Sequence, residues 1–176
     1  LLARRLVESG VSFVTINTAP DSLCWDWHLN IVNDDRPTDG SDGPSRGMDI
    51  SGPPLDQMLH ALITDLAERG LDKKVLVVVW GEFGRTPKLN QNKRGPGRDH
   101  WGRCFSLTMG GGGVKTGALI GASDKYGAVP AERPVSVADF AATVYHALGL
   151  DPQEEFVTSG RRMRMLPEGS VIKELF

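Results

Sequence analysis

The chain has only two cysteines, Cys24 and Cys104, in 176 residues. That is too few for a disulfide framework, and the spacing matches no zinc knuckle. No apolar run approaches the roughly 18 residues of a membrane span, so none is expected. Charge of one sign is lacking too. Twenty Lys and Arg against 22 Asp and Glu leave a net charge of −2 and a pI near 6.1, which gives no electrostatic case for binding nucleic acid or an anionic membrane. Internal repeats and low-complexity tracts are absent. The tetraglycine at 110–113 lacks the downstream Gly-Lys-Ser/Thr of a phosphate loop and reads instead as a tight backbone passage near a site. The one Gly-x-Ser-x-Gly pattern, at residues 43–47, lies within the polar 33–54 stretch and follows no expected strand as a nucleophile elbow must, so no hydrolytic nucleophile can be named. The first residue is Leu1 rather than Met, and the chain is expected to be part of something longer.

What is present is a loop-rich globular sequence, with 40% hydrophobic residues, 21 Gly and 11 Pro. Its length suits one domain over 1–176. Residues 2–9 read as the end of a helix stopped at Gly10, and the β-branched alternation of 11–16 reads as a strand. Residues 33–54 form a long polar loop, of the length at which a loop is functional or mobile. From Pro54, the residues Leu55, Met58, Leu59, Leu62, Ile63 and Leu66 recur at helical spacing until Arg69-Gly70, with His60 off the stripe. Residues 75–80 (Val-Leu-Val-Val-Val-Trp) read as a strand buried on both faces. Residues 104–109 are a third strand candidate, and 114–120 a short edge strand. Ser136 caps a helix to Leu148, with Val137, Phe140, Ala141, Val144 and Leu148 on its apolar face and His146 off it. Helices alternating with strands predict an α/β fold, a mostly parallel sheet with helices on both faces.

In such sheets, ligands bind just beyond the carboxyl ends of the strands. Three loops there carry metal-capable groups: Asp26-Trp27-His28, Glu82, and Asp99-His100. Carboxylate with neutral imidazole is the usual ligand mix for zinc, manganese or iron. In an extended backbone, Asp26 and His28 would share a face and reach one cation. Each loop alone is more readily a hydrogen-bonded surface pair. Both candidate histidines lie in strand-end loops, however, while His60 and His146 lie on helices, which leaves a shared metal site equally open. Either Arg85 and Arg98 clamp a sulfate or phosphate group, or Arg85 pairs with Glu82 or Asp99 to hold the loop. Cys24 and Cys104 stay open between buried small residues, a disulfide and metal thiolates.

Several motifs together resemble the bacterial DUF1501 family (domain of unknown function). These are residues 2–11, 25–28 (Trp-Asp-Trp-His), 81–87 (Gly-Glu-Phe-Gly-Arg-Thr-Pro), 97–101 (Gly-Arg-Asp-His-Trp), 110–115, 120–124 and 139–152, in order along the chain. The chain looks like the C-terminal portion of such a protein. The resemblance implies twin-arginine export, and hence a periplasmic or extracellular location. The family is similar in turn to the alkaline phosphatase and sulfatase superfamily, with a metal site at the strand ends. That resemblance implies Asp26, His28 and His100 as metal ligands, with Glu82 standing where an Asp-His pair is expected. It implies zinc, or else manganese or calcium, and Arg85 and Arg98 as substrate-binding groups. The substrate would be a small-molecule or glycan ester of sulfate or phosphate, and the nucleophile would lie upstream of Leu1. A non-catalytic metal-binding or envelope-associated protein on the same scaffold is the alternative.

Overall fold

The structure, a computed structural model, describes residues 2–17, 25–26, 28, 48–91 and 96–176. Of the loop expected over 33–54, residues 33–47 lie outside the described residues, as does Cys24, and residues 48–54 are helical instead. The backbone gathers into two compact units, Leu1–Leu71 with Phe83–Phe105, and Asp72–Glu82 with Ser106–Phe176.

In the first unit, helix α1 (Leu2–Glu8) and helix α2 (Met48–Glu68) are tied by charge. Arg4 is 6% exposed, with Nε 2.6 Å from Asp65 Oδ2 on α2, close enough for an ion pair but not directed as a hydrogen bond. Arg69 holds the other Asp65 oxygen at 2.8 Å. Both helices stop where the sequence predicts. At Gly10 and Gly70 the left-handed backbone lets the next two amides bond back to the last turn, Val11 to Leu6 and Leu71 to Leu66. Helix α2 begins at Met48, earlier than the expected entry at Pro54, and carries Pro53 and Pro54 inside it. Proline's preference for a first helical turn explains the misplaced start. Of the predicted stripe Leu66 is buried, whereas Ile63 is 56% exposed.

The expected mostly parallel, helix-covered sheet is not what forms. Among the described residues the strands make four two-stranded ribbons, all antiparallel. Residues 11–17 join no strand, nor do 114–120. In the second unit, β1 (Leu76–Val79) pairs antiparallel with β4 (Thr108–Gly111), from Leu76 opposite Gly111 to Val79 opposite Thr108. An apolar run signals burial, not strand direction, which is why the parallel reading fails. Every β1 residue is only half-buried, as expected of a ribbon with two open edges. Only the middle of the tetraglycine is tight: a Cβ at Gly111 would lie 2.3 Å from the Val75 carbonyl oxygen, whereas Gly110 and Gly113 have open space.

Ribbons β5 (Ala122–Ser123) with β6 (Pro130–Glu132), and β7 (Glu155–Thr158) with β8 (Arg161–Arg164), lie at the surface. The small core of this unit comprises Val114, Ala142, Thr143 and Ile172. Helix α3 (Val137–Ala147) opens with the Ser136–Asp139 capping box and ends at Gly149. Its most buried positions are Ala142 and Thr143, both 0% exposed, while Val137 from the predicted stripe is 70% exposed. Thr143 tolerates burial because its hydroxyl is fully used. It donates to Asp139 O at 2.7 Å and accepts from the Ile172 amide at 3.0 Å. Thr143→Val should therefore cost about 1–3 kcal/mol, by leaving the buried Ile172 amide without an acceptor. Thr143→Ser should retain more of the stability in urea unfolding. The chain end is fixed from Arg133, whose guanidinium bonds Glu174 at 2.6 and 3.0 Å and holds that carboxyl at about 2. His60 and His146 are exposed, as their places off the apolar stripes predict. Among the described residues, no helix is long and apolar enough to cross a membrane.

Candidate metal centre

Residues 84–90 and 97–101 are the arms of one hairpin in the first unit. Strand β2 (Gly84–Arg85) pairs antiparallel with β3 (His100–Trp101), setting Arg85 opposite His100. Thr86 and Asp99 continue the ladder through a 2.9 Å amide bond, and Asn90 pairs with the buried Gly97. Gly84 is required for this pairing. A Cβ there would lie 2.0 Å from the Cys104 carbonyl oxygen.

Onto this hairpin the structure brings Asp26 and His28. They converge through a tight turn rather than the extended backbone expected, since the His28 amide bonds the Asp26 carbonyl at 2.9 Å. Asp26, His28 and His100 then form a single group able to hold a metal ion. His28 Nε2 is 2.9 Å from His100 Nε2, His100 Nε2 is 2.9 Å from Asp26 Oδ1, and His28 Nε2 is 3.2 Å from the same oxygen. Ligand atoms about 2.0–2.1 Å from one ion stand about 3.0 Å apart in octahedral and about 3.3 Å apart in tetrahedral coordination. The observed triangle has that size. Two imidazoles and one carboxylate are moreover a donor set typical of open catalytic sites, in which three protein ligands leave further positions free. All three side chains are partly exposed, at 33%, 39% and 48% for Asp26, His28 and His100, so small solutes can reach them.

The surrounding groups fix this triangle. Arg85 Nη2 lies 2.7 Å from Asp26 Oδ1 and donates to the Trp25 carbonyl at 2.9 Å. Burial pushes the Asp26 carboxyl up, but the bonds from His100 and Arg85 outweigh it and hold the group below its ordinary range. The His100 ring lies between Phe83, at 4.1 Å between centroids, and His28, at 4.5 Å. On the other side of His28, Nδ1 is 2.9 Å from Asp99 Oδ1. Asn90 Nδ2 donates to that Asp99 oxygen at 3.1 Å and to the His28 carbonyl at 2.8 Å. Bonds from His28 and then Asn90 hold the Asp99 carboxyl below its ordinary range.

Three of the four metal ligands expected from sequence thus come together. Glu82 belongs to the second unit, is exposed, and is not in the group. The arginines are engaged within the loop. Arg85 binds Asp26, not the expected Glu82 or Asp99, and Arg98 Nη1 donates to the carbonyls of Thr86 and Pro87 at 2.9 and 3.3 Å. Cys104 is a half-buried free thiol outside the group. Asn90 and Phe83 were not anticipated. Pairing 81–87 with 97–101 would not by itself have exposed Asn90, because its isolated bridge to Gly97 lies two residues out of the register that sets Arg85 against His100.

No curated protein and no solved structure matches the chain. The family described as "protein of unknown function (DUF1501)" matches residues 1–176, and the chain belongs to that family.

Proposed function

We propose that this DUF1501 chain holds one divalent cation, zinc in the first instance, at Asp26, His28 and His100, and that the site hydrolyses sulfate or phosphate esters. The observation that carries the reading is the triangle of ligand atoms with edges of 2.9, 2.9 and 3.2 Å. A bound divalent cation supplies Lewis acidity toward an ester oxygen. Water would be the attacking group, and the chain's own residues hold and orient the site around the ion. Asp26 contributes negative charge to the site, Arg85 fixes the orientation of that carboxylate, and Phe83 walls the His100 ring. The ester class rests on the resemblance of the motif order to alkaline phosphatases and sulfatases, a step of analogy and not of fold. The same resemblance supports small-molecule or glycan esters as substrates, and the DUF1501 resemblance, with its twin-arginine export, supports a periplasmic or extracellular location.

One observation favours the second reading, a metal-binding protein without turnover. Arg85 and Arg98, the groups suited to an ester's oxyanion, both bond the loop itself. A panel of aryl sulfates and aryl phosphates offered to the zinc-loaded full chain separates the two. Turnover that disappears with the metal supports the hydrolase. Stoichiometric zinc with no turnover on any ester supports the binding protein.

A further inference from the structure

We infer that Asp99 is a positioning residue that sets the tautomer of His28, and that Asn90 clamps it there. Four observations carry this. Asp99 Oδ1 lies 2.9 Å from His28 Nδ1. An ionised carboxylate only accepts hydrogen bonds, so the imidazole proton sits on Nδ1. In the neutral imidazole, Nε2 is then the bare nitrogen, facing His100 Nε2 and Asp26 Oδ1 at 2.9 and 3.2 Å. Asn90 then joins the two ends of the contact, donating both to Asp99 Oδ1 and to the His28 backbone carbonyl. Its own orientation is fixed because its Oδ1 accepts from the Gly97 amide at 2.9 Å. Asp99 is held in its turn, with its amide bonded to Thr86 Oγ1 at 3.1 Å and its carbonyl to the Thr86 amide at 2.9 Å.

The two histidines of the cluster are therefore not equivalent. With Nε2 of His28 bare, the 2.9 Å contact between the two Nε2 atoms requires the metal-free neutral His100 to carry its proton on Nε2. That nitrogen also faces Asp26 Oδ1 at 2.9 Å. His28 is thus set in advance as a ligand through Nε2, while His100 must give up its Nε2 proton to become one. A carboxylate on the far nitrogen of a ligating imidazole fixes ring orientation and raises ligand basicity.

The affinity part of this inference rests on the metal reading, whereas the tautomer part does not. The test uses the metal-free, nitrogen-15-labelled full chain. Long-range proton–nitrogen correlation spectra should show His28 as the Nδ1–H tautomer and His100 as the Nε2–H tautomer. Asp99→Ala should shift His28 toward Nε2–H and leave His100 in place. Asp99→Asn, whose amide oxygen still accepts, should restore the His28 tautomer, and Asn90→Ala should weaken it in the same direction as Asp99→Ala. Zinc affinity measured calorimetrically should fall roughly 10- to 100-fold in Asp99→Ala, with partial rescue in Asp99→Asn. A His28 found as Nε2–H in the unmodified chain, or a tautomer unmoved by Asp99→Ala, overturns the inference. If the unmodified chain takes up no zinc while the tautomer still responds to Asp99, the metal reading fails and the positioning role stands.

Discussion

Replacing His100 by alanine is expected to lower zinc affinity by roughly 10²- to 10³-fold. Zinc sites with four protein ligands bind with about 10–16 kcal/mol at neutral pH, or about 2.5–4 kcal/mol per ligand if shared evenly. His100 is one of three candidate ligands among the described residues, so water should not replace its share without loss on that scale. The fold should survive the change, because the His100 side chain is 48% exposed. His60 and His146 supply the control: both are exposed and neither belongs to the cluster, so their alanine variants should bind zinc as the unmodified chain does. Competition with a chromophoric chelator measures all three. An affinity in His100→Ala equal to that of the controls would remove His100 from the ligand set.

The second large effect is expected at Gly84, a residue that touches no ligand. A Cβ there would stand 2.0 Å from the Cys104 carbonyl oxygen and 3.1 Å from its carbon. The obstruction is backbone, so no rotamer change relieves it. Gly84→Ala should cost about 3–5 kcal/mol, at the upper end of single-residue effects. It should also separate Gly84 from Trp101, and with them Arg85 from His100. Stability and zinc affinity are thus expected to fall together. Gly102 is the matched comparison, since a Cβ there meets nothing within 4 Å, and Gly102→Ala should stay within about 0.5 kcal/mol. Urea unfolding of the two variants measures the difference. Equal midpoints would show that the hairpin adjusts to the side chain.

The behaviour expected at these two positions marks how far the sequence could be read. Asp26, His28 and His100 stood out because only four histidines occur and the other two, His60 and His146, lie on helix exteriors, and imidazole–carboxylate chemistry does not depend on how strands are arranged. Helix ends were legible for a local reason: Gly10, Gly70 and Gly149 each permit the left-handed turn that closes a helix. Strand direction was not legible. The run at 76–79 is equally apolar whether its neighbour runs parallel or antiparallel, and its partner at 108–111 lies about 30 residues away in sequence. The buried face of α3 was misjudged because Thr143 counts as polar until its two hydrogen bonds are known. The arginines were ambiguous for a related reason. A guanidinium suited to an oxyanion is equally suited to the Asp26 carboxylate and to carbonyls of its own loop, and proximity decided the matter.

The most direct measurement of the central claim is zinc binding to the metal-free full chain, followed by X-ray absorption at the zinc edge. The account predicts one ion per chain, with a first shell containing two imidazole nitrogens and a carboxylate oxygen at about 2.0–2.2 Å, and the imidazole signal halved in His100→Ala. Failure to take up zinc, manganese or calcium at stoichiometric concentration, or a first shell without imidazole, would contradict it.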